Sequence, residues 1–307
     1  MKTSFPTDLF NKVQTPFYYY DTAVLQATLK SVKQEAARHA GFVVHYAVKA
    51  NANSKVLRLI AKQGLGADCV SGGEIQAALA AGFPASQIVY AGVGKADWEI
   101  NTALDANIFC FNVESKPELE VINELAAQKG KTANVCFRIN PDVGAHTHVN
   151  ITTGLAENKF GIAMSDMMPL IREAQSLPHI HFIGLHFHIG NINVGGGLGI
   201  RYDDPDGHPI PDFKAYFDCY AKHLQLRAGQ KVHFELGRSI VGQMGSLITR
   251  TLYVKQGTAK QFCIVDGGMS DLIRPALYHA HHEIQNISSQ EPEEVYDVVG
   301  PICESSD

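Results

Sequence analysis

The sequence predicts an α/β protein with two parts, a (β/α)8 barrel and a second domain rich in β-strands. Short apolar runs alternate with helical stretches up to about residue 238, and the connections between them are short and polar. So many strand–helix units favour a closed barrel over an open sheet. Beyond Arg238 the runs become strand-like, and no obvious helix separates them. We therefore expect the barrel at residues 22–238 and the β-rich domain at residues 1–21 and 239–307.

The first predicted elements lead to a single lysine. The aromatic run at 15–21 predicts a short strand, and residues 22–39 predict the first helix. Residues 42–51 are apolar and β-branched up to Lys49 and are followed by turn residues, so they predict a buried strand with Lys49 at its carboxyl end. The elements expected after it are helix 54–63, strand 66–70, helix 73–81, strand 87–90, helix 96–103, strand 107–111, helix 115–128 and strand 133–139.

Composition argues against two classes of partner. The net charge is −5, and the 26 basic side chains are dispersed, which argues against binding of nucleic acid. No segment approaches the roughly 18 uninterrupted apolar residues that a membrane-spanning helix requires. The start, MKTSFPTDLFNK, lacks a signal-peptide pattern, and the six cysteines form no CxxC pair. We expect a cytoplasmic protein that binds neither nucleic acid nor membrane.

Two explanations are open for Lys49. Its stem could lie on apolar surface while its ammonium reaches water, which is common for a lysine at a strand end. Alternatively, its amine could bond a carbonyl carbon reversibly as a Schiff-base lysine beside an acid-lined pocket. The residues that follow favour the second explanation.

Functional residues of (β/α)8 barrels gather at the carboxyl ends of the strands. In this chain charged and glycine-rich residues recur at the predicted strand ends. They are Lys49, Asp68 to Glu74, Arg138 to Pro141, His186 to Gly190, Gly195 to Gly199 and Glu235 to Arg238. We expect the functional site at these positions.

Two of these strand ends contain residue types that bind a phosphate and a heterocycle. The run GGGLG at 195–199 could surround a phosphate with backbone N–H groups, but it fits neither GxGxxG nor a P-loop and could be a plain flexible turn. Glu235 could bind a protonated pyridine nitrogen, and the turn of Gly237 and Arg238 could donate to a phosphate or carboxylate. A structural ion pair is the alternative.

His186 and His188 lie two residues apart on one face of a predicted strand. That spacing suits a pair of metal ligands, a ring stacked on a planar ligand, or core histidines. No third ligand with clear spacing occurs among the histidines, so we predict no metal site. Ser71 and Glu74 have the S-x-x-E form of a helix capping box, which is compatible with a ligand role for Asp68 or Ser71.

The carboxyl-terminal part contains two further candidate groups. Cys303 and Glu304 follow an apolar run, and Cys303 could be a small buried hydrophobe or, beside acids, a proton donor. Arg274 and Tyr278 are spaced four apart in RPALY and could hold a carboxylate together. Both groups lie outside the predicted barrel.

An ordered set of motifs extends from about residue 16 to Asp307. It comprises YAVKAN, GADCVSGGE, FRINPDVGAHTH, ENKFGI, GLHFHIG, GGGLGI, FELGRSIVG, DGGMSDLIRPALY and CESSD. In this order the motifs resemble those of bacterial diaminopimelate decarboxylases. The resemblance implies a fold-type III pyridoxal-phosphate enzyme with the alanine racemase-like architecture of a barrel plus a β domain, working as a head-to-tail homodimer with shared active sites. It also implies decarboxylation of an amino-acid substrate, meso-2,6-diaminopimelate, to L-lysine and CO2, the last step of lysine biosynthesis.

The resemblance also implies roles around the cofactor, pyridoxal 5′-phosphate. Lys49 matches the lysine that carries the cofactor, His188 the histidine stacked on its ring, and Glu235 the acid at its ring nitrogen. Asp68 and Arg138 match supporting residues behind it. The positions that match the phosphate cup are Gly195, Gly196, Gly197, Gly237 and Arg238.

Substrate roles follow in the same way. Arg274 and Tyr278 match residues that bind a substrate carboxylate, and Arg238 also lies near the substrate in the family. Cys303 and Glu304 match residues that enter the site of the partner subunit, where Cys303 is a candidate proton donor and Glu304 a partner for the substrate amine.

The chain departs from the family pattern after Gly190. There the family has a phosphate-binding serine, a helix and a strand before GGG, whereas Gly190 runs directly into Asn191 here. We expect one βα unit of roughly 30 residues to be absent at this point. The later tyrosine of the β domain is also absent, and we expect that domain to be incomplete after Asp307.

Three other functions remain open at this stage. One is another fold-type III decarboxylase or a racemase, which its product would distinguish. A second is a non-catalytic barrel that binds pyridoxal phosphate without turnover. The third is a metal-dependent barrel hydrolase using His186 and His188, which a bound metal would reveal.

Overall fold

The structure, a computed structural model, describes residues 5–140, 160–187, 194–292 and 294–307. The chain divides into two compact units. The barrel unit comprises Gln26–Gly199 and Asp212–Val241, and the β-rich unit comprises Met1–Leu25, Ile200–Pro211 and Gly242–Asp307. The segment Ile200–Pro211, which the sequence placed in the barrel, lies in the β-rich unit.

Two hydrogen bonds hold that segment. The side-chain amide of Gln243 donates to the carbonyl oxygens of Arg201 and His208, at 3.0 Å and 3.1 Å. These bonds tie the segment to the start of the later chain of the β-rich unit, which explains the difference from the predicted boundary.

The described strands and helices alternate over most of the barrel unit. The strands are β1 Phe17–Tyr20, β2 Phe42–Ala47, β3 Gly66–Cys69, β4 Ile88–Tyr90, β5 Cys110–Val113, β6 Ala133–Asn140, β7 Ile162–Ala163, β8 Ile180–Phe187, β9 Val232–Leu236, β10 Gly245–Ile248, β11 Thr251–Gln256, β12 Gln261–Val265 and β13 Asp297–Val299. The α-helices are α1 Thr7–Phe10, α2 Thr22–Ala36, α3 Ser54–Lys62, α4 Gly72–Ala81, α5 Asp97–Ala106, α6 Lys116–Gln128, α7 Met164–Ser176, α8 Phe213–His223, α9 Arg238–Val241 and α10 Arg274–Tyr278.

A parallel sheet forms the barrel unit and confirms the predicted fold class. Its strand order is β9-β2-β3-β4-β5-β6, and both β7 and β8 pair with β6. All of these pairings are parallel, as strand–helix–strand connections require. Within the described ranges, β8 and β9 are not paired with each other.

Two strands differ from their predicted bounds for local reasons. Strand β2 ends at Ala47, and Lys49 lies in the 3₁₀ turn Val48–Ala50, where the Asn51 N–H donates to the Val48 carbonyl at 3.1 Å. Strand β5 starts at Cys110 rather than 107, because α5 runs on to Ala106 and Asn107 ends it in the left-handed conformation with φ of 53°.

Carboxylates join the strand ends to the helices that follow them. The Ser71 hydroxyl accepts from the Glu74 N–H at 3.2 Å, which confirms the predicted helix cap. The Glu74 carboxylate accepts from the Val70 N–H at 2.9 Å, one residue earlier than a capping box places it. Glu118 makes the same bond, to the N–H of Glu114 at 2.9 Å. These bonds hold the carboxyl ends of β3 and β5.

The β-rich unit contains two small sheets. Strand β1, the predicted aromatic strand, pairs antiparallel with β10. The second sheet has the order β11-β12-β13, in which β12 is antiparallel to β11 and parallel to β13. The sequence predicted strand structure from Ser239 onward, but Ser239 to Val241 belong to α9, and α10 separates β12 from β13. None of the helices in the described ranges has both the length and the apolar composition to cross a membrane.

His45, which is buried, and His233, which is half-buried, form a pair in the barrel unit. His45 Nε2 lies 2.8 Å from His233 Nδ1, and His45 Nδ1 lies 3.2 Å from the Gln87 carbonyl oxygen. Burial and, next, the neighbouring His233 lower the pKa of His45 to about 3. Burial and, next, Lys231 lower the pKa of His233 to about 4. Both rings are therefore neutral at pH 7.

Stability should depend on pH through this pair. A histidine of the unfolded chain titrates near pH 6.5. Between pH 6.5 and its folded pKa, each of these rings therefore takes up a proton when the chain unfolds. As the pH is lowered through this window, the free energy of unfolding falls by about 1.4 kcal/mol per pH unit for each fully titrating ring. Replacing His45 with Gln should make this fall shallower in urea titrations between about pH 6.5 and 5. His223→Gln, at an exposed position of α8, is the control and should keep the wild-type slope. Equal slopes for H45Q and wild type would contradict the assignment.

Candidate active site

Strand β2 lies between β3 and β9, and this places three predicted site residues together. Ala47 pairs with Asp68 of β3, and His45 pairs with Glu235 of β9. Lys49 follows Ala47 by two residues, in the turn beyond the strand, and its side chain is exposed. The two carboxylates therefore flank the strand whose end carries the lysine.

Asp68 is a buried carboxyl group in a crowded environment. Its pKa is raised, first by burial and then by the charge of Glu235, while Lys49 opposes the rise. Burial also raises the pKa of Glu74, again against the Lys49 ammonium. Among the described residues, Asp68 Oδ1 has no hydrogen-bond partner, a condition that costs about 1–3 kcal/mol for a buried polar atom.

His186 of β8 lies beside Glu235. Its Nε2 is 3.5 Å from Glu235 Oε1, and the two side chains are 1% and 7% exposed. Burial, followed by the charge of Arg138, lowers the pKa of His186 to about 3, so the ring is neutral. Neither ring nitrogen has a hydrogen-bond partner within the described part of the chain. The sequence left His186 open as a metal ligand, a ring stacked on a planar ligand or a core histidine, and it gave no link to Glu235.

Arg138 is held by a buried ion pair. Its Nη1 donates to Glu114 Oε1 at 3.0 Å, and its guanidinium lies over the Phe160 ring, 4.7 Å from the centroid. Glu114 also accepts from the N–H groups of Gly92 and Gly161, each at 3.1 Å. Arg138 therefore supports the strand ends and acts on Asp68 and His186 through its charge.

The glycine run is fixed against β9. Gly195 accepts from the Glu235 N–H at 2.7 Å, and the Val194 N–H donates to the His233 carbonyl at 2.9 Å. The Tyr216 hydroxyl donates to the Gly196 carbonyl at 3.1 Å. A Cβ on Gly196 would collide with the Glu235 carbonyl oxygen, so only glycine permits this approach.

The end of β9 packs on the lysine turn. A Cβ on Gly237 would come within 3.0 Å of Ala50 Cβ and 3.3 Å of Ala47 Cβ. Arg238 follows as the first residue of α9. The turns that contain Gly237 and Lys49 are therefore neighbours, and the glycine run lies along the other side of β9.

The remaining predicted residues lie in the β-rich unit. The Arg274 guanidinium lies 5.2 Å from the centroid of Tyr202 and 5.5 Å from that of Tyr278, between two aromatic rings. Among the described residues no carboxylate lies within 4.0 Å of it. Cys303 and Glu304 are both exposed in the last bend of the chain.

Asp307 fixes that last bend. Its carboxylate accepts from the Ile302 N–H at 2.7 Å and also from the Met269 N–H. A Cβ on Gly268 would come within 2.6 Å of Asp307 Oδ1. The sequence had not singled out this role, which depends on a contact between segments about 38 residues apart.

One predicted site residue cannot be placed, and neither a metal cluster nor the large cavity involves the predicted site within the described residues. His188, predicted to stack on the cofactor, lies outside the described residues, so its pairing with His186 is not described. The described ranges contain no cluster of three or more side chains suited to a metal. A cavity of about 520 Å³ lies toward the amino-terminal ends of the strands, lined in part by Phe109, Asn134, His181 and Lys231, and it includes none of the predicted site residues.

Comparisons with known proteins define the family of this chain. Residues 23–192 match the pyridoxal-binding domain of pyridoxal-dependent decarboxylases. Diaminopimelate decarboxylase of Bacteroides thetaiotaomicron is 61% identical over 338 residues, which cover 100% of this chain and 88% of that protein.

Solved structures give the same result. The Helicobacter pylori diaminopimelate decarboxylase in complex with L-lysine has a TM-score of 0.89 at 38% identity, covering 98% of this chain and 82% of that chain. The M. jannaschii enzyme in complex with L-lysine has a TM-score of 0.85 at 33% identity, covering 98% and 78%. The fold and the site thus define a pyridoxal-phosphate-dependent decarboxylase built on a barrel and a β domain. Within that class, the chain belongs to the diaminopimelate decarboxylase family, as its motifs indicated.

The residues of the site fit pyridoxal phosphate. Lys49 offers a primary amine, and Glu235 offers a buried carboxylate for a protonated ring nitrogen. The unpartnered atoms of Asp68 and His186 lie in the same interior. The N–H groups of Gly196 and Gly197 make no hydrogen bond within the described part of the chain, and Gly197 has φ of 96°, so both can serve a phosphate.

Single alanine substitutions in the glycine run should show whether its close packing against β9 is needed for binding of pyridoxal phosphate. Gly196→Ala would force the loop away from the Glu235 carbonyl, at about 1–3 kcal/mol, and should weaken binding of pyridoxal phosphate by about tenfold or more. Gly199→Ala is the matched control, because a Cβ at Gly199 meets nothing within 4 Å and its φ lies outside the left-handed range. Equilibrium dialysis with pyridoxal phosphate measures both. Equal dissociation constants for G196A and wild type would show that the loop does not bind the phosphate as described.

Proposed function

We propose that this protein decarboxylates meso-2,6-diaminopimelate to L-lysine and CO2, the last step of lysine biosynthesis. The observation that carries the proposal is the placement of Lys49 at the end of the strand that pairs with both Asp68 and Glu235. The family relationship supports the substrate, because relatives that carry this name have been solved in complex with L-lysine.

The residues of the barrel unit would hold the cofactor. Lys49 would bind it through its amine, and Glu235 would keep a proton at the ring nitrogen. Gly195, Gly196 and Gly197 would bind its phosphate through N–H groups, together with Gly237 and Arg238, and His188 is the residue expected at its ring. When bound, pyridoxal phosphate supplies an electron-withdrawing ring that accepts the electrons released with CO2.

The residues of the β-rich unit would bind substrate. Arg274 is a guanidinium without a carboxylate partner in the described ranges, and Tyr202 and Tyr278 hold it in place, so it can receive the distal carboxylate of diaminopimelate. Glu304 binds the distal amine. In the reaction the bond from Cα to the carboxylate carbon would break, CO2 would leave, and a proton donated by the thiol of the partner's Cys303 would take its place on Cα.

We infer that two chains share each site in a head-to-tail homodimer. Cys303 and Glu304 are exposed, as residues that enter a partner's site must be. Large apolar side chains are also exposed on β11, where Tyr253 is 70% and Val254 is 59% accessible.

Six free cysteines support a cytoplasmic location.

The comparison supports the prediction that this chain lacks one βα unit of the barrel. The match to the Bacteroides relative extends over 338 residues, whereas this chain has 307, so the relative carries about 31 more residues within the matched region. That length is about one βα unit. It agrees with the departure from the family pattern at Gly190 and, within the described ranges, with the lack of pairing between β8 and β9.

Substrate choice should be visible in CO2 release with added pyridoxal phosphate. We expect release from meso-diaminopimelate and none from lysine, ornithine or arginine, because only the first carries a second amino-acid head group. Lys49→Ala is the control and should release none. Release of CO2 from another amino acid would support decarboxylation but contradict meso-diaminopimelate as the substrate. Absence of release with the cofactor bound would favour a non-catalytic protein.

Arg274 gives a test of carboxylate binding. Arg274→Ala removes the charged partner of the distal carboxylate and should lower kcat/KM for meso-diaminopimelate by about thirtyfold or more, mainly through KM. Arg250→Ala, at an exposed position of the same unit, should leave it unchanged. An unaltered KM in R274A would exclude Arg274 from substrate binding.

A further inference from the structure

Four buried polar side chains of the barrel unit come from alternate strands of the sheet. They are Asp68 of β3, Asn112 of β5, His186 of β8 and Glu235 of β9. In a (β/α)8 barrel the stagger is about eight residues over eight strands, so alternate strands are displaced by about two residues, and each interior layer takes four side chains from alternate strands. The observed register can be tested against this rule.

The register from β3 to β5 obeys it. Asp68 is paired with Val89 of β4, and Val89 is paired with Cys110 of β5. Asn112 lies two residues beyond Cys110. A displacement of two residues over two strands therefore brings Asn112 to the level of Asp68.

The next two strands give the same displacement. Asn112 is paired with Cys136 of β6, which is paired with Gly184 of β8. His186 lies two residues beyond Gly184, at the same level as Asn112.

The register closes on the other side of Asp68. Asp68 is paired with Ala47 of β2, and the neighbouring β2 residue, Tyr46, is paired with Leu236 of β9. Ala47 is thus level with Gly237, and Glu235 lies two residues before it. The four residues, which we call the polar layer, form one layer of the interior, with Glu235 next to Asp68 on one side and His186 on the other.

Side-chain contacts agree with that order. His186 Nε2 lies 3.5 Å from Glu235 Oε1, and the charge of Glu235 adds to burial in raising the pKa of Asp68. Asp68 Oδ1, Asn112 Nδ2 and both ring nitrogens of His186 have no hydrogen-bond partner among the described residues. Barrel layers usually consist of branched apolar side chains, so a polar layer with unpartnered atoms indicates that a polar ligand sits on it.

His186 can act as a donor in this layer. Because its ring is neutral, it has one N–H and one acceptor nitrogen. With the hydrogen on Nε2, a movement of about half an ångström would bring the bond to Glu235 into the ordinary range of about 2.7–3.2 Å. The donation would hold the carboxylate of Glu235 in one orientation through Oε1.

We propose that His186 is a positioning residue that donates from Nε2 to Glu235 Oε1 and thereby aims the carboxylate at the ring nitrogen of the cofactor. This rests on the proposed function in one respect, that pyridoxal phosphate is the ligand of Glu235. Asp68 and Asn112 complete the polar layer beneath it.

A double-mutant cycle tests the proposal. The dissociation constant of pyridoxal phosphate is measured by equilibrium dialysis for wild type, His186→Leu, Glu235→Ala and the double variant. We expect H186L to raise it about tenfold in the wild-type background and less than about twofold in the E235A background, because the acceptor for His186 is already lost there. Equal factors in the two backgrounds, or no effect of H186L, would overturn the proposal.

Two further variants separate donation from packing. His186→Gln keeps a donor of similar reach and should bind the cofactor within about threefold of wild type. His181→Leu, at the exposed start of the same strand, should bind like wild type. Should H186L be recovered unfolded, His186→Asn, whose amide is too short to reach Glu235, replaces it, and equal constants for H186N and H186Q would overturn the proposal.

The result is distinguishable from failure of the proposed function. A wild-type protein that binds no pyridoxal phosphate contradicts the proposed function itself. A wild-type protein that binds it and releases CO2, together with an additive cycle, contradicts only the role of His186.

Discussion

The parallel pairing of β2 with β3 on one side and β9 on the other is the constraint on which the site depends. Pairing fixes Ala47 beside Asp68 and His45 beside Glu235, and the turn after Ala47 carries Lys49 above both. A slip of one residue in either ladder would turn one carboxylate out of the interior, because side chains alternate along a strand. The acid and the amine are therefore set by backbone hydrogen bonds rather than by contacts of their own.

Burying this much charge requires compensation, and the chain supplies it from the backbone. Glu74, Glu114 and Glu118 each accept from N–H groups at strand ends, and Glu114 also pairs with Arg138. Bonds to charged acceptors are stronger than neutral ones, so the carboxyl ends of the strands are held rigidly. Unlike these glutamates, Asp68 Oδ1 and both ring nitrogens of His186 have no hydrogen-bond partner among the described residues. A bound ligand could provide those partners.

The sequence predicted the strand–helix order and the residues at the strand ends because apolar periodicity and glycine or charged punctuation are local signals. It did not predict the turn at Lys49, where a hydrogen bond from Asn51 to Val48 ends β2 early, or the left-handed Asn107 that delays β5. Nor could it place His186 beside Glu235, since that requires the register of seven strands. Counting two residues per alternate strand would have found the relation once the pairings were known.

The central claim is that Lys49 carries the cofactor. The most direct measurement is reduction of the protein with borohydride in the presence of pyridoxal phosphate, followed by peptide mapping with mass spectrometry. The account predicts a stable pyridoxyl adduct on the peptide that contains Lys49 and on no other lysine peptide. An adduct on another lysine, such as the buried Lys95, or a cofactor that binds but leaves no adduct on Lys49, would contradict it.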